Sequence, residues 1–332
     1  MKKIGLTTTA PIEVLIAAGY QPVDINNLFI ASEKYHEYID FAEKAGFPKN
    51  SCAWIKGIFG ACIAYNIEEI IGIVEGDCSN TRALLTVLEY HGVKVHAFSY
   101  PYSHQLVDVR SSIDRFIEHF GTTLEATEWV RLSLLPVRLL AKELDRLTYE
   151  ENRLSGWENH LLQLSMSDFN GDVKQYADDL SKLQADALMR EPYSDQLRLG
   201  FIGVPPMTGD LYNYVEQFGA RFVYNEVQRE FAFPRATEGQ TIYEQYYDYT
   251  YPYSLEFRLE EIKEQIRLRK LAGIIHYTQA SCYRSIDDII IKQTLDIPVL
   301  TIEGDKLNHL DARTKLRLEA FIDMLLDLKE VD

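Results

Sequence analysis

Cysteines are the residues of this sequence best suited to chemistry, and three of the four follow turns that open predicted helices. Cys78 and Cys282 each come after a β-like run and a short turn, and Cys52 comes after a turn-rich segment. A helix N-terminus stabilises a thiolate through its unpaired N–H groups and its dipole. Ligands of open parallel sheets bind beyond the carboxyl ends of the strands. The three thiols are therefore predicted to converge on one cleft and to bind an iron–sulfur cluster.

The fourth cysteine, Cys62, lies in the middle of a predicted helix, ten residues after Cys52. Ten helical residues rotate by about 1000°, so the two cysteines do not share a helix face. We predict that Cys62 is a core residue. Three thiolates leave one iron of a 4Fe–4S cube open to another ligand. Two alternatives remain at this point: four buried structural cysteines, or a zinc site, although the sequence has no C-x-x-C pair.

The composition restricts the class of protein. The chain has 332 residues, enough for two domains, and a formal net charge of -16. Such an acidic chain is a poor partner for nucleic acid, because phosphate binding needs a Lys- and Arg-rich surface. It has no apolar run of membrane-spanning length and no apolar signal segment at its N-terminus. We therefore expect a cytoplasmic protein without a membrane partner, in which cysteines are not a disulfide framework.

The order of predicted elements favours an α/β fold. Strand and helix patterns alternate up to about residue 106 and again from Leu197, which indicates βαβ units and parallel sheets. The region between is helical nearly throughout. We predict an N-terminal α/β domain over 1–120, a helical connector over 121–195 and a C-terminal α/β domain over 196–332. The stretch Tyr243–Tyr253 is expected to be a long loop that acts as a lid or a subunit interface.

No motif for nucleotide binding or serine hydrolysis supports a competing function. The sequence lacks G-x-G-x-x-G after a strand, the P-loop pattern G-x-x-x-x-G-K-[ST], H-E-x-x-H and G-x-S-x-G.

Several segments, spread over almost the whole chain, resemble the 2-hydroxyacyl-CoA dehydratase family, which includes the benzoyl-CoA reductase subunits. Pro11–Gly19 is similar to its P-x-E-L-x-x-A-A-G segment. The other similar segments are Cys52 with Trp54 and Lys56, Gly76-Asp77-Cys78, His276 to Cys282, Ile297–Asp305 (I-P-x-L-x-I-E-x-D) and Arg317–Phe321 (R-x-E-A-F).

The resemblance implies two flavodoxin-like or Rossmann-like parallel-sheet domains joined by a helical segment, with an oxygen-sensitive 4Fe–4S cluster between the domains. It implies Cys52, Cys78 and Cys282 as the ligands, and a single cube in preference to a double cubane. The implied partners are an acyl-CoA substrate, a homologous second subunit or a second copy, and an ATP-hydrolysing iron–sulfur activator. The implied reaction reduces a CoA thioester by one electron to a ketyl radical, which expels a hydroxyl group. A non-catalytic electron-transfer subunit and a thioester reductase component are the alternatives.

Three further residues are candidates for proton transfer near the cleft: Glu13, His276 and Glu303. Each has a structural alternative, since the two glutamates could anchor backbone or helix ends and His276 could be a satisfied core histidine. Lys56 and Arg284 could attract an anionic substrate, or they could be solvated helix charges.

Overall fold

The chain forms two compact units in the structure, a computed structural model that describes residues 1–194, 196–305 and 309–331. Unit 1 comprises Met1–Leu139, Ser165–Ala177 and Phe231–Ser254, and unit 2 comprises Leu140–Leu164, Asp178–Glu230 and Leu255–Asp332. Each unit has a four-stranded parallel sheet with flanking helices, which confirms the predicted α/β class with two parallel-sheet domains. The helical region predicted over 121–195 is divided between the two units.

Unit 1 has the strand order β2-β1-β3-β4. Its strands are β1 (Lys2–Leu6), β2 (Tyr20–Asp24), β3 (Glu69–Glu75) and β4 (Lys94–Ser99). Its helices are α1 (Ile12–Ala17), α2 (Ile25–Ile30), α3 (Tyr35–Lys44), α4 (Ala53–Ala64), α5 (Thr81–Tyr90), α6 (Leu106–His119) and, far along the chain, α12 (Ile242–Tyr247). The inner strand β3 is rich in isoleucine and fully buried at Ile70, Ile71 and Ile73, as expected for a parallel strand covered on both faces.

Unit 2 has the corresponding order β6-β5-β7-β8. Its strands are β5 (Leu197–Gly203), β6 (Ala220–Asn225), β7 (Gly273–Gln279) and β8 (Val299–Gly304). Its helices are α8 (Gly156–Leu164), α10 (Leu211–Glu216), α11 (Glu226–Phe231, whose last residue belongs to unit 1), α13 (Leu255–Arg269), α14 (Asp288–Thr294) and α15 (Ala312–Val331). Alternate strand residues face opposite sides: Phe201 packs into one apolar cluster and Ile202 into the other.

Helices α7 (Leu124–Tyr149) and α9 (Val173–Met189) continue from one unit into the other. Short 3₁₀ helices occupy Ser165–Ser167, Phe169–Gly171 and Tyr283–Asp287. No helix in the described ranges combines the length and the apolar character that a membrane span requires.

Residues 165–177 leave the helical region and dock on β2 of unit 1. The backbone N–H of Asp24 donates to Asp168 Oδ2 over 2.8 Å, and Gln21 Nε2 donates to the Gly171 carbonyl over 2.7 Å. Two buried carboxyl groups, those of Asp24 and Asp168, therefore lie at this contact.

The stretch Tyr243–Tyr253 is not a long loop, which corrects the expectation from its sequence. Its first half belongs to α12, because Thr241 and Glu244 form a capping box that satisfies the first turn of a helix. Tyr246, Tyr249 and Tyr253 are buried in contact with Tyr100, so these rings form part of the core of unit 1.

Candidate functional site

The carboxyl edge of the sheet in unit 1 holds Cys78. In the order β2-β1-β3-β4 the connections leave β1 in opposite directions, so the crevice beyond β1 and β3 is the expected ligand site. Cys78 lies three residues after β3 and is partly exposed. The turn before it needs glycine: Gly76 has φ +94°, and a Cβ there would lie 2.8 Å from the carbonyl oxygen of Pro252.

The second cysteine of unit 1, Cys52, is the N-cap residue of α4 and is 9% exposed. Its thiol therefore lies at the positive end of a twelve-residue helix, the environment that favours a thiolate. Next to Cys78, the hydroxyl of Tyr251 donates to Asp77 Oδ1 over 3.2 Å and ties this turn to the tyrosine-rich segment.

Cys282 occupies in unit 2 the position that Cys78 occupies in unit 1. It follows β7 by three residues, and β7 is the equivalent of β3 in the second sheet. Its N–H donates to the Gln279 carbonyl over 2.9 Å, and it is the N-cap residue of the 3₁₀ helix Tyr283–Asp287. Its side chain is partly exposed.

Cys62 differs from the other cysteines in its position in the middle of a helix and in its complete burial. It is fully buried within α4, and burial raises the pKa of its thiol to about 12. Its complete burial confirms the prediction that Cys62 is a core residue.

The donor chemistry of the other three cysteines fits an iron–sulfur cluster, since cysteine thiolates are its usual ligands. Cys52 and Cys282 are N-cap residues, whereas Cys78 lies two residues before Asn80, the N-cap of α5. Within the described ranges, no three or more His, Cys, Asp or Glu side chains form a group that could hold a metal ion. Cys52 and Cys78 belong to unit 1 and Cys282 to unit 2. Their convergence on a shared cluster stays a prediction.

Glu13 lies fully buried in α1 and has a complete set of partners. Its carboxylate accepts hydrogen bonds from Arg138 over 2.6 Å, Gln245 over 2.8 Å and Tyr246 over 2.8 Å. Burial raises its pKa, but the charge of Arg138 and these hydrogen bonds outweigh burial and hold the pKa below its usual value. The ionised group joins α1 to α7 and α12, an arrangement suited to anchoring.

His276 lies in the middle of β7 and is 2% exposed. Its Nδ1 is 2.8 Å from Asp288 Oδ1. Burial lowers the pKa of the imidazole despite this carboxylate, so the ring is neutral at neutral pH. On its other side, a Cβ on Gly203 would lie 3.1 Å from the ring atom Cδ2. The His276 ring is thus packed closely against the backbone at the end of β5.

Glu303 lies near the end of β8, pairs in register with Thr278 of β7 and has an exposed side chain. Lys56 is fully buried, and its ammonium contacts Glu43 over 2.9 Å and the Lys49 carbonyl over 3.0 Å, which makes it an internal ion pair. Arg284 lies 4.0 Å from Asp287 in the 3₁₀ helix that follows Cys282.

The sequence did not single out two further groups at the carboxyl edge of unit 2. Arg258 forms a two-point ion pair with Glu226, which also accepts from the backbone N–H of Gly203 over 2.9 Å. The second group is Asp288, whose Oδ1 forms the hydrogen bond with Nδ1 of His276. Glu226 directly follows β6, and its place at a strand end was the one signal that could have found it.

Comparisons with known proteins give one family. The family model described as 2-hydroxyglutaryl-CoA dehydratase, D-component, matches residues 7–325. No curated protein sequence matches the chain. Among solved structures, the SBP FpvC from Pseudomonas aeruginosa in complex with Mn2+ aligns over 100% of both chains at 13% identity and a TM-score of 0.22, which is too low to bear on fold or function.

Proposed function

Because this chain belongs to the family of 2-hydroxyglutaryl-CoA dehydratase D-components, we propose that it is the iron–sulfur subunit of a 2-hydroxyacyl-CoA dehydratase. The observation that carries the proposal is the matched position of two cysteines. Cys78 and Cys282 each lie three residues beyond the third strand of their unit, at the edge where parallel sheets bind ligands.

Cys52, Cys78 and Cys282 would hold a 4Fe–4S cluster through their thiolates. When bound, such a cluster supplies a low-potential electron to a CoA thioester, and the reaction would then remove water from the substrate. The chain's own contribution would be to present the three thiolates at or just before helix starts. Cys52 benefits most, since it caps the longest of the three elements concerned.

The proposal includes three kinds of partner: an acyl-CoA substrate, a related second subunit or a second copy of this chain, and an iron–sulfur activator that hydrolyses ATP. The strongly acidic chain, with a net charge of -16, gives no reason to add nucleic acid to these partners.

The deciding experiment is iron and sulfide analysis after anaerobic purification, with electron paramagnetic resonance of the reduced protein. We expect about four irons per chain in the wild type. Cys78→Ser and Cys282→Ser should each lose iron, whereas the matched change Cys62→Ser should keep it. Wild-type protein that is free of iron under strictly anaerobic conditions would refute the proposal, as would equal iron loss in all three variants.

A further inference from the structure

Helix α15 has one side in the core of unit 2 and the opposite side exposed to solvent. Leu318, Ile322 and Leu325 belong to the apolar core. On the opposite side, residues spaced three or four positions apart share one face of the helix and form a single row of exposed side chains. This outer row consists of Arg313, Leu316, Arg317, Ala320, Asp323, Met324 and Asp327.

The middle of the outer row is apolar, although the solvent side of a surface helix is usually polar. Leu316 is 66% exposed and Met324 is 40% exposed. Leu328, one turn after Met324, is 51% exposed and extends this apolar area. Ala320 lies between Leu316 and Met324, and its small side chain allows the axis of another helix to come close. The outer row is therefore suited to packing against a second helix.

The charges of the outer row differ between its two halves. Arg313 and Arg317 precede Ala320, whereas Asp323 and Asp327 follow it. Arg313 and Asp327 each lie seven positions from Ala320, and Arg317 and Asp323 each lie three positions from it. The outer row thus has a basic half and an acidic half, placed symmetrically about a small residue.

A second copy of the same helix matches this pattern when the two helices run antiparallel. A two-fold axis beside Ala320 places each residue level with the residue of the second copy that lies equally far on the other side of Ala320. Arg313 is then level with Asp327, and Leu316 is level with Met324. A parallel pair would bring like charges together, and a partner of a single charge would match only half of the outer row. Charge therefore favours the antiparallel second copy over these alternatives.

We propose that the outer row of α15 docks the same row of a second copy of this chain, antiparallel and across a two-fold axis beside Ala320. A second copy is one of the partners included in the proposed function, but the docking itself depends on neither the iron–sulfur cluster nor the reaction. Arg317, which donates to the Thr301 carbonyl over 2.7 Å, keeps further N–H donors for Asp323 of the second copy. The net charge of -16 on each copy opposes association at long range, so the dimer is of moderate, micromolar affinity.

Analytical ultracentrifugation of the full chain, purified anaerobically, measures the dissociation constant. A salt concentration of about 0.15 M screens distant charges more than adjacent ones. Leu316→Asp should raise the dissociation constant more than about 100-fold, because it replaces apolar contact by a carboxylate at two symmetric positions. Leu268→Asp is the matched control, since Leu268 is a 49% exposed leucine of α13 in the same unit and should leave the dissociation constant unchanged.

Charge reversal tests the antiparallel register. Arg313→Asp and Asp327→Arg should each raise the dissociation constant about tenfold or more, because each change places like charges level with each other at two symmetric positions. The double variant restores opposite charges at both positions and should return the dissociation constant close to the wild-type value. A parallel pair gives no such restoration.

Wild-type chain that stays monomeric up to concentrations on the order of 100 µM would overturn the proposal. A dimer that Leu316→Asp leaves intact would do the same, as would a double variant that associates no better than the single variants. Arg313 and Asp327 are exposed, so charge reversal still decides if Leu316→Asp fails to fold. Iron analysis of the same samples separates the two proposals: an iron-free dimer refutes only the cluster, and an iron-loaded monomer refutes only the docking of α15.

Discussion

Replacing Asp168 by asparagine should shift the free energy of unfolding, relative to wild type, in favour of the variant as the pH rises from 5 to 8. Asp168 is 9% exposed and lies beside Asp24, where residues 165–177 dock on β2. Burial, and next the charge of Asp24, raise the pKa of Asp168 to about 7. In an unfolded chain the pKa of an aspartate is about 3.9.

The direction of the pH effect on stability follows from the number of protons that Asp168 binds in the folded and unfolded chains. Between about pH 4 and pH 7 the folded protein binds a proton at Asp168 that the unfolded chain has lost, so the free energy of unfolding falls as the pH rises. Over the two pH units from pH 5 to pH 7, the free energy of unfolding falls by about 3 kcal/mol. Asparagine does not titrate, so the variant avoids this loss. Its amide oxygen can accept from only one of the two backbone N–H groups that Asp168 serves, those of Asp24 and Asn170, and this cost does not vary with pH.

Urea unfolding at pH 5 and pH 8 measures the effect. We expect the stability of Asp168→Asn relative to wild type to rise by up to about 3 kcal/mol between the two pH values. Asp172→Asn is the control, because Asp172 is exposed and its carboxylate accepts from the N–H groups of Lys174 and Gln175. A difference between Asp168→Asn and wild type that stays constant with pH would refute the reasoning.

Three other predictions concern single residues. Glu13→Gln should lower the free energy of unfolding by about 3–5 kcal/mol, because it leaves Arg138 buried without its counter-charge. The exposed Glu303→Gln should change it by less than about 0.5 kcal/mol in the same urea titration, and equal effects would contradict the anchoring role of Glu13. Thr241→Ala should cost about 0.5–2 kcal/mol through loss of the α12 cap, with the exposed Thr237→Ala as the neutral comparison in thermal melts. In iron-free protein at pH 8, Cys78 should react with a maleimide and Cys62 should not, as peptide mass spectrometry can show; labelling of both at one rate would exclude a buried Cys62.

The sequence predicted the local elements of the fold but few of the contacts between residues that are far apart in the chain. β-Branched runs such as Ile70–Val74 predicted the strands, because a parallel strand buried on both faces has an unmistakable composition. The capping box at Thr241 and Glu244 is also local, yet the surrounding tyrosines concealed it, since their spacing matches no regular period.

In the candidate site, too, local features could be predicted from the sequence and long-range contacts could not. The turns before Cys78 and Cys282 were visible as sequence patterns that follow strands. The pairing of His276 with Asp288 was not, because it depends on a turn and a 3₁₀ helix that bring residues twelve positions apart together. The partners of Glu13 lie still farther away, at Arg138, Gln245 and Tyr246. Sequence patterns that extend over a few residues do not predict contacts between residues so far apart in the chain.

The segmented make-up of unit 1 has a consequence for synthesis on the ribosome. Its first segment ends at Leu139, but its last segment ends at Ser254, 115 residues later. At roughly 5–20 residues per second, translation takes about 6–23 s to cover that distance. Throughout this interval Arg138 lacks its hydrogen bond to Gln245, and Glu13 lacks its hydrogen bond from Tyr246. The amino-terminal unit is thus completed late, and until then the nascent chain has an incomplete core, a state prone to aggregation.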